Sequence, residues 1–236
     1  MNGRSVAAEG GGMTVCGTVW RWRELTSDDH DANGQWRDRL APWEIHRAAA
    51  LPVPAVRAAF VAARDLLRTL VAQWSGVSPA EVIIERTEAG APRIAGYPEV
   101  GCSISHAGAV AVVALRTAGP VGIDIEPVNR PLFDVDALVP VACTGAEGAA
   151  IRALPVHERT ACFLSLWTGK EAVLKALGVG LQTDPRTVAV FPPDQHRCGH
   201  AEHAGQRWQL QAITDIPGYV VTLAVPDVLP PATIAS

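Results

Sequence analysis

Lysine is almost missing from this chain. Of its 20 basic side chains in 236 residues, 18 are arginine, and the two lysines are Lys170 and Lys175, within LWTGKEAVLKALG. A composition so rich in arginine and alanine reads as a coding bias that replaces lysine wherever arginine serves. Either chance left two lysines close together, or both stand where a compact, mobile ammonium is needed rather than a planar guanidinium. Excess positive charge is also absent: the formal net charge is −4 and the pI about 6.0, which argues against a nucleic-acid binder relying on a general basic field. The arginines between Arg37 and Arg68 still allow a local anion site. No apolar run approaches the ~18 residues of a membrane span, and the opening MNGRSVAAEGGG lacks the charged-then-apolar order of a signal peptide. The five cysteines are odd in number, widely spaced and without C-x-x-C, which fits free thiols in a reducing cytosol better than a disulfide framework. Neither a Walker phosphate loop nor G-x-G-x-x-G occurs, and Ser105 lacks the flanking glycines of a hydrolase elbow.

What is present is a chain long enough for one large domain or two small ones, 48% apolar and 19% charged. Residues 1–13 read as a flexible leader and the segment after 226 as a tail. Thr14–Arg23 is strand-like. Val56–Trp74 carries apolar residues at helical spacing, entered after Pro52 and Pro54 and closed by Gly76. Strand-like segments follow at 81–86, 102–105 and 109–116, with turns at Gly90-Ala91-Pro92 and Ala118-Gly119-Pro120. The order then repeats: a strand at 121–126, a helix over Thr160–Leu177, and strands at 187–191, 207–213 and 219–225. This predicts an α+β fold of two similar halves, 14–118 and 119–226, packed as a pseudo-dimer with a cleft between them.

Three segments carry candidate chemistry. In Val121-Gly122-Ile123-Asp124-Ile125-Glu126, strand alternation puts Asp124 and Glu126 on one face, about 7 Å apart. They are either an acidic solvent face or two oxygen ligands for a hard cation such as Mg²⁺. In the second helix, Trp167, Glu171 and Lys175 fall at i, i+4 and i+8 on one stripe flanked by Lys170. Glu171–Lys175 serves equally as a solvated ion pair worth ~0.3–0.5 kcal/mol or as part of a phosphate-handling site. Gly169 in mid-helix costs ~1 kcal/mol relative to Ala, so close approach by another group is expected there. His106, at a turn after Ser103-Ile104-Ser105, is an anion or proton-transfer candidate or merely a turn histidine. Asp194, His196, Cys198, His200 and His203 crowd DQHRCGHAEH, but their spacing matches no zinc finger, and a solvated connector is the expectation.

SISHAG, VGIDIE and, some 40 residues later, LWTGKEAVLKALGVGL together resemble the Sfp-type 4′-phosphopantetheinyl transferases, along most of the chain from about Val15 to Val225. The resemblance implies a 4′-phosphopantetheinyl transferase fold with CoA in the cleft. It makes Asp124, Glu126 and Glu171 ligands of Mg²⁺, or of Mn²⁺ in its place. Glu171 would also act as, or position, the base for an incoming serine hydroxyl. Lys175 would contact the transferred phosphate and assist the leaving group, and Lys170 would contact phosphate or support the site. Ser105 and His106 resemble the pair that grips the nucleotide end, and Arg47 stands where relatives carry a base for CoA phosphates. Relatives commonly read G-K-P where this chain has Gly90-Ala91-Pro92, and carry arginine where it has Ala59. Arg93, Arg57 and Arg64 are the nearby substitutes. The implied partners are CoA and apo acyl or peptidyl carrier domains, with neither nucleic acid nor membrane, for a cytoplasmic monomer whose second half replaces a partner subunit. The rival expectations are a non-catalytic relative that binds CoA or a carrier, and a different Mg²⁺-dependent nucleotide enzyme.

Overall fold

The computed structural model describes residues 8–14, 17–25, 29, 40–129, 134–191 and 198–227. The first half contains β1 (Glu9–Met13), β2 (Thr18–Glu24), α1 (Pro42–Ala49), α2 (Pro54–Ser75), β3 (Ile84–Arg86), β4 (Pro92–Ile94), β5 (Gly101–Ala107) and β6 (Val110–Arg116). The second contains β7 (Gly122–Pro127), α3 (Val135–Ala142), α4 (Gly145–Ala153), α5 (Val156–Ala176), β8 (Ala189–Phe191), β9 (Cys198–His203), β10 (Gln206–Ile213) and β11 (Tyr219–Pro226). Two antiparallel sheets result, ordered β1-β2-β6-β5 and β7-β11-β10-β9-β8, with β3-β4 as a separate hairpin.

Strand alternation builds these elements into four layers. On β6, Val113 and Leu115 pack with Leu67, Leu70 and Val71 of α2, while Val112 and Ala114 face the opposite way with Trp20 and Trp22. That second face meets Val121, Ile123 and Ile125 of the β7 segment and Val221, Leu223 and Val225 of β11, so the two sheets share one central apolar layer. The remaining face of the second sheet, with Trp208, Leu210 and Ala224, packs on Phe163, Leu164, Val173 and Leu174 of α5. The order is therefore helix, sheet, sheet, helix. The predicted α+β class is the one observed.

Both long helices lie where periodicity placed them. α2 starts at a proline that needs no amide partner and stops at Gly76, whose φ of 77° is the left-handed cap conformation. α5 begins four residues before the expected Thr160. Several elements were not anticipated. Glu9–Met13, read as leader, forms β1 against β2, in register Gly10↔Trp22 and Gly12↔Trp20. α1, α3 and α4 are additional, and α4 opens on a capping box in which Thr144 and Glu147 satisfy each other's amides. Cys198, His200 and His203 lie on β9, paired with β10, rather than in a solvated connector; Asp194 and His196 fall outside the described residues. No helix among the described residues is long and apolar enough to cross a membrane.

Candidate active site between the sheets

The two sheets abut where β5 runs beside β7. The Ile123 amide donates to Ser103 Oγ at 3.0 Å, and Val100 bridges Gly119. Behind β7 lies α5, and Gly122 sets how closely they approach: a Cβ built there would stand 1.8 Å from the Ala172 carbonyl oxygen. With Val121, Ile123 and Ile125 turned into the central layer, Asp124 and Glu126 point to the α5 side. The expectation of close approach at Gly169 is met by Val190 and Leu210, at 3.1 and 3.2 Å from a built Cβ.

Four charged side chains gather in this seam. Lys175 Nζ donates to Asp124 Oδ1 at 2.6 Å, Ser105 Oγ at 2.8 Å and the Ile123 carbonyl at 3.3 Å. Ser105 Oγ also donates to Asp124 Oδ1 at 2.8 Å. Glu126 Oε1 accepts from the Trp167 indole at 3.2 Å, so the tryptophan of the helix motif holds the glutamate of the strand motif. Glu171 is buried. Desolvation, then the charges of Asp124 and Glu126, push its carboxyl up to about 7 against the opposing pull of Lys175.

The donor set suits a hard cation. Asp124 Oδ2 and Glu171 Oε1 are both buried without a hydrogen-bond partner, which is costly unless a bound positive group satisfies them. Among the described residues, no three His, Cys, Asp or Glu side chains are grouped closely enough to hold an ion by themselves. The trio of Asp124, Glu126 and Glu171 that the resemblance implies is therefore not gathered into a closed site in this structure, and the two orphaned oxygens belong to Asp124 and Glu171.

The seam opens into a cleft of about 460 Å³, walled by Phe60 and Arg64 of α2, the 89–92 turn, residues 103–106, residues 124–126 and Lys175. His106 is exposed at its rim. Packing around the ring, then the charges of Lys175 and Arg64, lower its imidazole below the usual histidine range and favour the neutral ring, against the opposing pull of Asp124. Arg64 stands over the rings of Trp43 and Phe60, each centroid 5.2 Å away.

The other expected basic residues lie elsewhere. Arg47 is exposed on α1 and does not line the cleft. Arg57 is half-buried, donating to the Leu51 carbonyl at 3.4 Å. Arg93 is exposed, paired with Glu85 at 2.5 Å, and borders a neighbouring groove that also reaches Lys175. Lys170 requires a correction: it is fully buried on the far side of α5, paired with Glu147 Oε2 at 2.7 Å and donating to the carbonyls of Pro185 (3.2 Å) and Val188. It supports the helix and makes no contact with the cleft. Sequence reasoning missed Glu147, although Thr144-x-x-Glu147 is a legible capping box, and it missed Trp43 and Glu44 at the start of α1.

Residues 120–224, which include β7, α5 and most of β11, match the family model described as the 4′-phosphopantetheinyl transferase superfamily. The 4′-phosphopantetheinyl transferase HetI of Nostoc sp. is 32% identical over 190 residues, covering 79% of this chain and 78% of the relative. An L-aminoadipate-semialdehyde dehydrogenase-phosphopantetheinyl transferase of Eremothecium gossypii is 32% identical over 176 residues, covering 72% of the chain and 63% of the relative. A 4′-phosphopantetheinyl transferase of Bacillus subtilis is 32% identical over 141 residues, covering 56% and 61%.

Proposed function

The chain belongs to the 4′-phosphopantetheinyl transferase superfamily, and from that premise we propose how its cleft moves the phosphopantetheine arm of CoA to the serine of an acyl or peptidyl carrier domain. The observation that carries the proposal is Lys175, held by Asp124 and Ser105 in one seam beside two buried carboxylate oxygens, Asp124 Oδ2 and Glu171 Oε1, that lack partners. Phosphoryl transfer asks the protein mainly for positioning and charge stabilisation.

In this reading the pyrophosphate of CoA lies against Lys175. The three oxygens around Nζ are partners that an entering phosphate oxygen can replace one at a time, so the ammonium is never stripped bare. Asp124 and Glu171 would hold a divalent cation, Mg²⁺ or Mn²⁺, with Glu126 able to join them, and such an ion would neutralise pyrophosphate charge. Glu171 takes the proton as the serine oxygen bonds to the β-phosphorus. The bond from that phosphorus to the bridging oxygen breaks, and Lys175 stabilises the charge left on adenosine 3′,5′-bisphosphate. Ser105 keeps Lys175 aimed into the cleft, and His106 offers a neutral imidazole to the nucleotide end. Trp167 fixes Glu126 and thereby ties strand to helix.

The central apolar layer is completed within one chain, which supports action as a monomer. Free thiols at Cys102, Cys143, Cys162 and Cys198 support a reducing, cytoplasmic setting. The test is transfer of a fluorescent CoA conjugate to apo carrier domains, read on a gel beside Glu171→Gln. Label should appear with the unaltered protein and drop at least ~100-fold in the variant. Labelling of no carrier tried, or equal labelling by the variant, counts against the assignment.

A further inference from the structure

One pair of side chains between α5 and the second sheet is neither apolar nor part of the cleft. Thr168 of α5 and Thr222 of β11 are both buried among residues such as Leu164, Ala172, Leu210 and Ala224, with their hydroxyl oxygens 2.8 Å apart. Burying a hydroxyl costs free energy unless it is hydrogen-bonded, and valine would fill the same space without that cost. Thr168 Oγ1 also donates to the Ser165 carbonyl at 3.3 Å, back-bonding within its own helix. Its proton is thereby used, so Thr222 supplies the proton between the two hydroxyls. Thr222 Oγ1 has no other hydrogen-bond partner among the described residues.

The pair sits beside the reacting groups. Thr222 is the register partner of Asp124, so both side chains leave the sheet on the α5 face, one strand apart. On the helix, Thr168 follows Trp167, whose indole holds Glu126 on β7. Neighbouring helical residues point about 100° apart, so α5 is tied to two adjacent strands from two directions. One tie alone would leave the helix free to roll about its axis; two on different strands fix the roll as well as the register. Measured round the helix from Trp167, Glu171 falls at about 40°, Lys175 at about 80° and Thr168 at about 100°. Both working side chains of α5 therefore project within the sector that the two ties bound.

Resting on the transferase reading, we propose that Thr168 and Thr222 are positioning residues: their hydroxyl pair sets the roll of α5 on the second sheet and so aims Glu171 and Lys175 at Asp124. Small rolls matter. With side-chain tips ~5–6 Å from the helix axis, a roll of about 10° carries them ~1 Å. An error of that size at a catalytic group costs about 10²-fold in rate. Neither threonine lines the cleft, so the pair acts on substrate only through the side chains it aims.

The test separates aim from stability with variants of nearly the same shape. Thr168→Val leaves the Thr222 hydroxyl buried without a partner, whereas Thr222→Val leaves Thr168 its bond to Ser165, so the urea midpoint should drop more in the first. The double variant carries no orphaned hydroxyl, and its midpoint should return close to that of the unaltered protein. Its kcat for carrier labelling should nonetheless stay on the order of 10-fold down, with KM for CoA unchanged. Thr168→Ser, which keeps the hydroxyl, should retain most of kcat. A kcat that recovers together with the midpoint, a loss confined to KM, or a serine variant as slow as valine overturns the proposal. Mn²⁺ affinity, read by electron paramagnetic resonance without CoA or carrier, should fall several-fold in the double variant, because Glu171 is no longer aimed at Asp124; unchanged affinity counts equally against the pair. If the unaltered protein labels no carrier, the transferase reading fails, and the Mn²⁺ comparison still decides the role of Thr168 and Thr222.

Discussion

Replacing Gly122 by alanine puts the spacing of β7 and α5 to the test. The added Cβ would lie 1.8 Å from the Ala172 oxygen and 2.8 Å from both the Ala172 carbon and the Ala176 nitrogen. All three are backbone atoms of a packed helix, so no side chain can rotate away. Real Cβ atoms essentially never come within 3.0 Å, so strand and helix must separate by more than 1 Å. Overpacking of this kind costs ~3 kcal/mol, at the upper end for one extra carbon. For a chain of this size that lowers Tm by roughly 6–12 °C. Asp124 lies two residues further along the same strand, and a displacement near 1 Å at a catalytic group costs about 10²-fold in rate. Gly169→Ala is the matched control. Its Cβ meets side-chain atoms of Val190 and Leu210 at 3.1–3.4 Å, which need give by only a few tenths of an ångström, against a gain of ~1 kcal/mol in helix propensity. Urea denaturation and carrier labelling on both variants would separate them. A Gly122→Ala protein with unchanged midpoint and turnover, or a Gly169→Ala protein more damaged than it, refutes the close-approach argument.

Other outcomes follow from the same geometry. Lys170→Met strands the buried Glu147 carboxylate, and breaking such a pair costs about 3–5 kcal/mol. Denaturation should show that loss while KM for CoA, measured where the variant is folded, stays put; a large rise in KM would restore a phosphate contact. Lys175→Arg keeps the charge but cannot reproduce three convergent ammonium donors, and kcat should fall roughly 10²-fold in a steady-state assay; near-normal kcat would reduce the lysine to codon bias. The pH dependence has a definite sign. Glu171 moves from 4.5 in the unfolded chain to about 7 in the fold, so between these values the folded protein holds a proton the unfolded chain has released. In EDTA, stability is therefore fully present near pH 4.5 and declines as pH rises through 7, by a few kcal/mol if no other group compensates. Added Mg²⁺ should cancel the decline, as followed by thermal melts across pH; a flat EDTA profile would contradict the cause given for the shift.

Much of the site was legible because its signals are local. Alternation in VGIDIE fixed which face carries Asp124 and Glu126, and i, i+4 spacing put Trp167, Glu171 and Lys175 on one stripe. The two stripes meeting is a tertiary fact, visible in the Trp167–Glu126 and Lys175–Asp124 contacts. Lys170 shows the limit. One residue from Glu171, it leaves the helix about 100° further round, and only the position of Glu147 in α4 decides that this direction is core. The arginines show another: spacing could not tell Arg64, beside Trp43 and Phe60, from Arg57 or Arg47, because the platform comes from a second helix. β1 escaped notice because its three glycines carry no apolar pattern; they admit the rings of Trp20 and Trp22, contacts encoded in the partner strand.

The most direct measurement is intact mass. An apo carrier domain, CoA and Mg²⁺ are incubated with the protein, and the carrier is weighed before and after digestion to locate the change. The account predicts a gain of one phosphopantetheine arm on one serine, an equal amount of adenosine 3′,5′-bisphosphate, and neither with Asp124→Ala. A carrier unchanged in mass across acyl and peptidyl types, or modified equally by Asp124→Ala, would contradict it.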